Sequence, residues 1–263
     1  MKDLNLIELT DLEKRYGKKE ALTGINLTIG RGKIIGLLGP NGSGKTTLIK
    51  LLNGLLQPTS GEIKVNGKAP GVDSKKIISY LPDKMYFADW MKIADLLDFF
   101  EDFYEDFDRK KAEGMCETLK INTEAKIKSL SKGNKEKVQL VLVMCRKAQL
   151  YLLDEPIAGV DPAARDFILD TILNNYNEEG TVIISTHLIA DIEKIMDEVI
   201  FIKEGNIVTY KSADDLREES GKSIDALFRE IFHTDVYRGG SMDPCILSEY
   251  FFSDISVNGR TDA

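Results

Sequence analysis

Nine consecutive residues combine glycines, a lysine and two threonines at a spacing that suits phosphate binding. They fit the pattern G-x-x-x-x-G-K-[ST]. In that pattern the backbone N–H groups of the glycine-rich turn surround phosphate oxygens, the lysine reaches the β- and γ-phosphates, and the hydroxyl that follows it ligates Mg²⁺. The sequence therefore predicts a site for a nucleotide polyphosphate with Mg²⁺. The predicted phosphate-binding residues are Gly39, Pro40, Asn41, Gly42, Ser43, Gly44, Lys45, Thr46 and Thr47, with Thr46 as a metal ligand as well.

The elements on both sides of this loop are those that it needs. The apolar run from Ile34 to Leu38 is typical of a buried strand, and Thr46 to Leu55 is predicted to be a helix. A strand, a tight turn and a helix start direct backbone N–H groups and the positive end of the helix dipole at one point. An incidental lysine in a glycine-rich turn is the alternative, and the flanking elements argue against it.

Three further side chains follow apolar strands that end in polar residues. Asp154 and Glu155 come directly after the predicted strand Leu150 to Leu153, and His187 follows the predicted strand Thr181 to Ser185. Open α/β sheets bind their ligands at the carboxyl ends of the strands. There a carboxylate can orient Mg²⁺, its neighbour can accept a proton from water, and an imidazole can bond a phosphate oxygen. A simple turn before Pro156 is the alternative for the two carboxylates.

Two other positions suit a nucleotide but also have ordinary explanations. Tyr16 lies 23 residues before the first glycine of the loop and could stack on a base, although core packing is the better interpretation from sequence alone. Ser131 is predicted to cap a helix, and with Gly133 it could form a second anion site. Since the first loop already surrounds the phosphates, this second site would suit a nucleotide bound by another subunit.

The rest of the chain alternates between strand and helix patterns. Residues 4–36 alternate between glycine breaks and predict short antiparallel strands, and Glu62 to Gly67 adds a strand and turn. From Met85 to about Ile127 the apolar spacing becomes helical, with acidic residues between. That acidic stripe is interpreted as a solvated face in preference to a docking face. The remaining predicted elements are a helix that begins at Ser131, a hairpin of 199–202 with 206–209, and helices over 212–219 and 223–232.

Composition narrows the class of protein. The 263 residues carry a net charge of −8, which argues against nucleic-acid binding. Cys116, Cys145 and Cys245 show no paired or metal-ligand spacing, so we expect reduced thiols. No apolar run is long enough to span a bilayer, and the start lacks a signal peptide. We therefore expect a cytoplasmic protein, and any membrane part would be another chain.

In this order, the motifs resemble the ATP-binding subunit of an ABC-type transporter over residues 4 to about 232. The resemblance implies that Tyr16 stacks on adenine, that 39–47 is the Walker A loop, and that Asp154 with catalytic Glu155 is Walker B. It also implies that Asp161 belongs to the D-loop, that His187 is the switch histidine, and that residues 130–134 are the signature. In this family two subunits meet head to tail, and each ATP lies between one Walker A loop and the partner's signature.

Three residues depart from the family pattern. Asp83 stands where the family usually has the Q-loop glutamine; its carboxylate could still reach Mg²⁺ or its waters, but the amide donors are lost. Lys132 replaces the first glycine of the signature, and Asn134 replaces its glutamine, while Ser131 and Gly133 are kept. Such variants resemble the antibiotic- and multidrug-exporter branch.

Together these observations predict an α/β P-loop NTPase of ABC type, with a mixed sheet core, an antiparallel β portion and an inserted helical subdomain at about 84–135. Residues 1–232 would form the ATP-binding domain, and 233–263 a tail with no predicted structure. The expected function is hydrolysis of ATP with Mg²⁺, with Lys45, Glu155 and His187 as catalytic residues. The expected location is the inner face of the cell membrane, where a homo- or heterodimer would drive a separate membrane subunit. The expected direction of transport is export. A soluble ABC-type ATPase and a nucleotide sensor with little turnover remain as alternatives.

Overall fold

A computed structural model describes residues 5–237, and all structural statements below concern that part of the chain. Strands and helices alternate along most of it. The strands are β1 (Asn5–Tyr16), β2 (Lys19–Gly30), β3 (Ile34–Leu38), β4 (Ser60–Val65), β5 (Ile78–Leu81), β6 (Leu150–Asp154), β7 (Thr181–Thr186), β8 (Glu198–Lys203) and β9 (Asn206–Ser212). The helices are α1 (Lys45–Leu52), α2 (Val72–Ile77), α3 (Ile93–Phe103), α4 (Arg109–Thr118), α5 (Lys132–Met144), α6 (Pro162–Asn175), α7 (Ile189–Ile192), α8 (Ala213–Ser220) and α9 (Ile224–Tyr237), with a short 3₁₀ turn at Ile127–Ser129.

The first sheet is antiparallel, with strand order β2-β1-β4. This confirms the predicted antiparallel portion, but the prediction of short strands was wrong, since β1 and β2 have 12 residues each. Gly17 forms the turn between them at φ 60°, whereas Gly24 lies inside β2 at φ 57°. The pairing register shifts around Gly24, so the strand accommodates that glycine as a bulge and continues.

The second sheet has the order β5-β6-β7-β3-β8-β9. Its first five strands run parallel, and β9 returns antiparallel to β8 as the predicted hairpin. Strands β3, β6 and β7 are buried along their whole length, which explains their continuous apolar runs. Because β3, β6 and β7 are neighbours, the residues that follow them meet at one edge of the sheet.

Three apolar cores hold these layers together. Helix α1 packs between the two sheets, and α6 to α9 with the end of α5 cover the other face of the parallel sheet. A third core joins α3, α4 and the middle of α5 into the predicted helical lobe. Cys116 and Cys145 are buried free thiols in this lobe, and burial raises the pKa of both; Cys245 lies outside the described residues.

Several boundaries differ from the predictions. Helix α1 ends at Leu52 because Gly54 follows at φ 67°. Helix α5 runs from the lobe into the main core, so a lobe boundary at residue 135 falls inside a helix. Helix α9 continues to Tyr237, five residues beyond its predicted end; the rest of the predicted tail lies outside the described residues. The predictions had not included β5, α2, α6 or α7.

None of the helices within residues 5–237 is long and apolar enough to span a bilayer. The prediction of a single domain over residues 1–232 stays a prediction.

Candidate active site

The glycine-rich loop connects the end of β3 to the start of α1. Gly44 caps the helix at φ 114°, a conformation that L side chains rarely adopt. At Gly39 a Cβ would lie 2.3 Å from the carbonyl oxygen of Ile202, so no larger residue fits. The Ser43 hydroxyl is buried and has no hydrogen-bond partner within the described chain. The loop is therefore closely packed underneath, and its backbone is fixed.

Lys45 reaches back across this loop. Its Nζ donates to the carbonyl oxygens of Gly39 (2.7 Å) and Pro40 (3.2 Å) and lies 3.5 Å from Oε1 of Glu155. The side chain is only 6% exposed. Burial lowers the pKa of Lys45, while Glu155 and Asp154 oppose that shift. The structure thus places one desolvated cation beside two carboxylates at the base of the loop.

Asp154 is fully buried at the end of β6. Its Oδ1 accepts hydrogen bonds from Ser185 Oγ (2.6 Å) and Thr46 Oγ1 (3.0 Å), whereas its Oδ2 is buried without a partner. Burial raises the pKa of Asp154, and the two hydroxyl hydrogen bonds oppose that rise. A carboxylate with one oxygen held and the other unpaired has the donor chemistry of a cation ligand.

Glu155 follows in a left-handed backbone conformation, with φ 51°. Its N–H bonds to Ser185, with the carbonyl oxygen at 3.0 Å and Oγ at 3.1 Å. His187 Nδ1 lies 3.0 Å from Oε2 and 3.2 Å from Oε1 of Glu155. The carboxylate of Glu155 therefore lies between Lys45 and His187. The three residues follow three neighbouring strands: Lys45 follows β3, Glu155 follows β6 and His187 follows β7.

A cavity of about 340 Å³ opens above these groups. Tyr16 forms part of its wall and is 48% exposed, so the interpretation of Tyr16 as a core residue was wrong. The Nζ of Lys14 lies 5.3 Å from the centre of the Tyr16 ring. Asp83 also lines this cavity. The full lining is Tyr16, Lys19, Ala21, Asn41, Gly42, Gly44, Lys45, Thr46, Thr47, Asp83 and Glu155.

The remaining predicted residues form a separate group at the start of α5. Ser131 caps that helix, accepting from the N–H of Asn134 at 3.3 Å, and Ser131 and Gly133 are exposed. Lys132 Nζ lies 3.8 Å from Glu136 and would lie 3.1 Å from a Cβ on Gly159. Asp161 is exposed, lies two residues after Gly159 and directly precedes α6, where its carbonyl oxygen accepts from the N–H of Arg165 at 3.0 Å. None of Ser131, Gly133, Asn134 or Asp161 lines the cavity above Lys45.

Sequence reasoning missed Ser185, which holds both Asp154 and the backbone of Glu155. The available sequence feature was a hydroxyl residue at the end of an apolar strand. Ser185 can hold Asp154 because the register of β6 and β7 places the two residues opposite each other. Lys19 on the cavity wall was missed as well. Lys19 is the first residue of β2, and nothing in its sequence context indicates a nucleotide contact.

The comparisons with known proteins agree with this geometry. Residues 22–158 match the family described as ABC transporter. An ABC transporter ATP-binding protein of Methanocaldococcus jannaschii is 34% identical over 215 residues, which cover 80% of this chain and 79% of that protein. The chain belongs to the ABC transporter ATP-binding family. It is therefore the ATP-binding subunit of an ABC transporter, and it binds and hydrolyses ATP.

Other ABC relatives carry more specific names. The linearmycin resistance ATP-binding protein LnrL of Bacillus subtilis is 30% identical, over 82% of this chain and 72% of that protein. The SkfA peptide export ATP-binding protein SkfE of the same organism is also 30% identical, over 78% and 88%. A solved ATP-binding subunit of an ABC transporter superposes with a TM-score of 0.76 at 26% identity, covering 86% of this chain and 98% of that structure. The predicted family and fold class are thus confirmed.

Proposed function

We propose that this ABC subunit hydrolyses ATP with Mg²⁺ at the cavity above Lys45, within a head-to-tail dimer, and drives export through a separate membrane subunit. One observation carries the proposal: Thr46 and Asp154 meet at 3.0 Å, beside the cluster of Lys45, Glu155 and His187. A phosphate loop, a metal-type carboxylate and a base thus share one sheet edge.

The side chains divide the work of phosphoryl transfer. The loop of residues 39–47, including the side chain of Lys45, binds and orients the phosphates, and Tyr16 stacks on the base. Glu155 orients the attacking water and accepts its proton, and His187 bonds a γ-phosphate oxygen. In this structure Lys45 contacts Glu155, so a bound phosphate would compete for Lys45 and release Glu155 to act on water.

The residues present fit Mg²⁺. The unpaired buried Oδ2 of Asp154 and the adjacent Thr46 hydroxyl are oxygen donors of the kind that Mg²⁺ prefers. No cluster of three or more acidic, histidine or cysteine residues that could hold a metal occurs in residues 5–237. Mg²⁺ typically binds with one or two protein oxygens, and substrate phosphates and water complete its shell. When bound it would neutralise developing phosphate charge; Asp83 would contact its waters.

Replacement of one hydroxyl tests this site. Thr46→Val removes the metal-side oxygen with little change in shape, so we expect ATP hydrolysis to fall by about 10²-fold, the range for loss of a transition-state contact. Thr171→Val is the matched control, because that buried hydroxyl bonds only its own helix at Phe167. Hydrolysis should also stop when Mg²⁺ is chelated. Wild-type turnover in Thr46→Val would contradict the assignment.

The exposed group at the start of α5 supports the dimer. Ser131, Gly133 and Asn134 present a capped helix start next to Gly159 and Asp161, away from the cavity of their own chain. A helix start can bind anions. Because this one does not line the nucleotide cavity of its own chain, it is suited to the phosphates of a nucleotide bound by a second subunit. We therefore propose that each ATP lies between Lys45 of one subunit and Ser131 of the other.

A groove of about 500 Å³ between the helical lobe and the core supports a membrane partner. Aromatic residues including Tyr80 and Phe100 line it, and Tyr86 on its wall is 61% exposed. Asp83 lines both this groove and the nucleotide cavity, so a partner seated here would contact the site. We propose that the membrane subunit docks in this groove. Tyr86→Glu should abolish recovery of the chain with membranes while ATP binding is retained.

The direction of transport rests on the relatives. One is named for linearmycin resistance and another for peptide export, which supports an exporter. Membrane recovery separates this function from a soluble ABC-type ATPase, and steady-state hydrolysis separates it from a nucleotide sensor. Recovery of the native chain entirely in the soluble fraction of its own cells would overturn the transport proposal.

A further inference from the structure

Gln139 interrupts an otherwise apolar part of α5. Its neighbours from Val138 to Met144 are all apolar and buried, and Gln139 itself is only 6% exposed. Its Nε2 is buried and has no hydrogen-bond partner within the described residues. Buried amide donors are nearly always paired, so this one needs an explanation.

A small cavity gives that explanation. Gln139 lines a space of about 40 Å³ together with Asp83 from the end of β5 and Glu155 from the end of β6. The other lining residues are Leu81, Pro82, Glu136, Leu140, Pro156, Ala158 and Ile168. This volume holds at least one water molecule, which requires about 10–15 Å³ and two or more polar partners. The amide and the carboxylates supply those partners.

We propose that Gln139 is a positioning residue for ATP hydrolysis. Its Nε2 donates to a water in this cavity, and the water donates to the carboxylate of Glu155. Within residues 5–237, the polar partners of the Glu155 carboxylate are Lys45 and His187, both of which bind phosphate in the proposed function. When phosphate occupies those two, the bridge from Gln139 keeps the carboxylate aimed at the attacking water. The inference rests on the role proposed for Glu155.

The position of Gln139 on α5 places its amide beside the cavity that Glu155 also lines. Gln139 lies two turns after Ser131, the residue that caps α5. The same helix therefore connects the exposed residues at its start to the cavity behind Glu155. A water bridge is enthalpically similar to a direct hydrogen bond and can restrain an orientation. Glu136, one turn before Gln139, lines the same cavity and is paired with Lys132 at 3.8 Å.

Gln139→Met tests the proposal, because methionine keeps the unbranched shape and removes the amide donor. We expect kcat to fall about tenfold while KM and the affinity for ATP stay within twofold, since only the orientation of the base changes. The melting temperature should stay the same or rise, because an unpaired buried donor is removed. Leu142→Met is the matched control, a buried residue of the same helix in the lobe core, and it should match wild type.

A double substitution distinguishes positioning from packing. If Gln139 acts through Glu155, Gln139→Met should change the residual rate of Glu155→Gln by less than twofold, because the group that it positions is already lost. A tenfold loss that persists in that background, a fall in stability with unchanged kcat, or wild-type kcat in Gln139→Met would each overturn the inference. Wild-type turnover in Glu155→Gln alone would instead overturn the proposed role of Glu155.

Discussion

The two groups of candidate ATP-contacting residues differ in how complete they are. The side chains around the nucleotide cavity, at the carboxyl edge of the parallel sheet, are called here the sheet-edge group. Lys45 and Asp154 are buried there and Glu155 is partly buried, and each makes a polar contact with a neighbouring side chain or backbone group. At the start of α5, Ser131 and Gly133 are exposed and touch no residue of that first group. A site that works within one chain would have both groups together, so the proposed dimer accounts for the separation by assigning the second group to the nucleotide of another subunit.

The two groups also differ in the chemical groups that they offer to ATP. The sheet-edge group contains the side chains that we propose hold phosphate, coordinate the metal and accept a proton, whereas the exposed group at the start of α5 offers a helix start and its backbone N–H groups. Substitutions in the first group should therefore stop chemistry or binding in any assembly state. Substitutions in the second should act only through the dimer.

The largest effect is expected for Glu155→Gln. Loss of the proton acceptor should reduce hydrolysis by ~10²–10⁴-fold, the range for a general base, while ATP binding is retained. Steady-state phosphate release and a nucleotide titration measure the two quantities. Near wild-type hydrolysis would remove Glu155 from the chemistry and with it the contrast between the groups.

Lys45→Ala should weaken ATP binding itself. The variant loses a buried cation that reaches phosphate, and charged hydrogen bonds of about 1.5–3 kcal/mol correspond to roughly 10- to 100-fold in Kd. Calorimetry on the purified chain measures this, with exposed Lys64→Ala as the control. An unchanged Kd would show that Lys45 points away from the nucleotide.

Asp154→Asn should separate stability from function. Because burial raises the pKa of Asp154 above its ordinary 3.8, folding favours its protonated form, and the charged form opposes stability as pH rises. The variant should therefore melt no lower than wild type at pH 8, and any advantage should shrink as the pH falls through the raised pKa of Asp154. It should lose the stabilisation by ATP with Mg²⁺ that wild type shows. A large fall in melting temperature without nucleotide would contradict this account.

Asp83 is exposed on the cavity wall and should show the smallest effect in the sheet-edge group. Asp83→Gln should change the Mg²⁺ dependence of hydrolysis modestly, and Asp83→Ala should change it more if the carboxylate meets the metal's waters. Mg²⁺ titrations of hydrolysis compare the variants. Identical curves for wild type and Asp83→Ala would remove Asp83 from the site, although it would still line the cavity.

Much of the sheet-edge group was predictable because its sequence patterns are local. The phosphate loop, the pair Asp154 and Glu155, and His187 all follow recognisable strands, and the parallel order of β6, β7 and β3 brings them together. Ser185 was not predictable in the same way, because its contact with Asp154 depends on the register between two strands distant in sequence. Register is a tertiary property that the pattern of one strand does not contain.

The elements that sequence reasoning missed have short or mixed patterns. Strand β5 has four residues and α2 has six, which is too short for a clear period. Helix α6 begins with Pro162, a recognised first helical residue, but its apolar positions lack a strong helical period. Gln139 shows the reverse problem: its sequence position suggests nothing, and only the unpaired Nε2 and the cavity make it a candidate.

The composite site is tested most directly by mixing two inactive variants. Lys45→Ala removes the phosphate lysine from every site, and Ser131→Arg should block the partner's contribution by bulk and charge. In a mixed dimer both changes fall in one site, and the other has intact Lys45 and Ser131. The account predicts that an equal mixture recovers about one quarter of wild-type ATPase activity, since random pairing makes about half the dimers mixed and each has one intact site. A mixture that stays inactive while crosslinking shows mixed dimers, or full activity in Ser131→Arg alone, would contradict it.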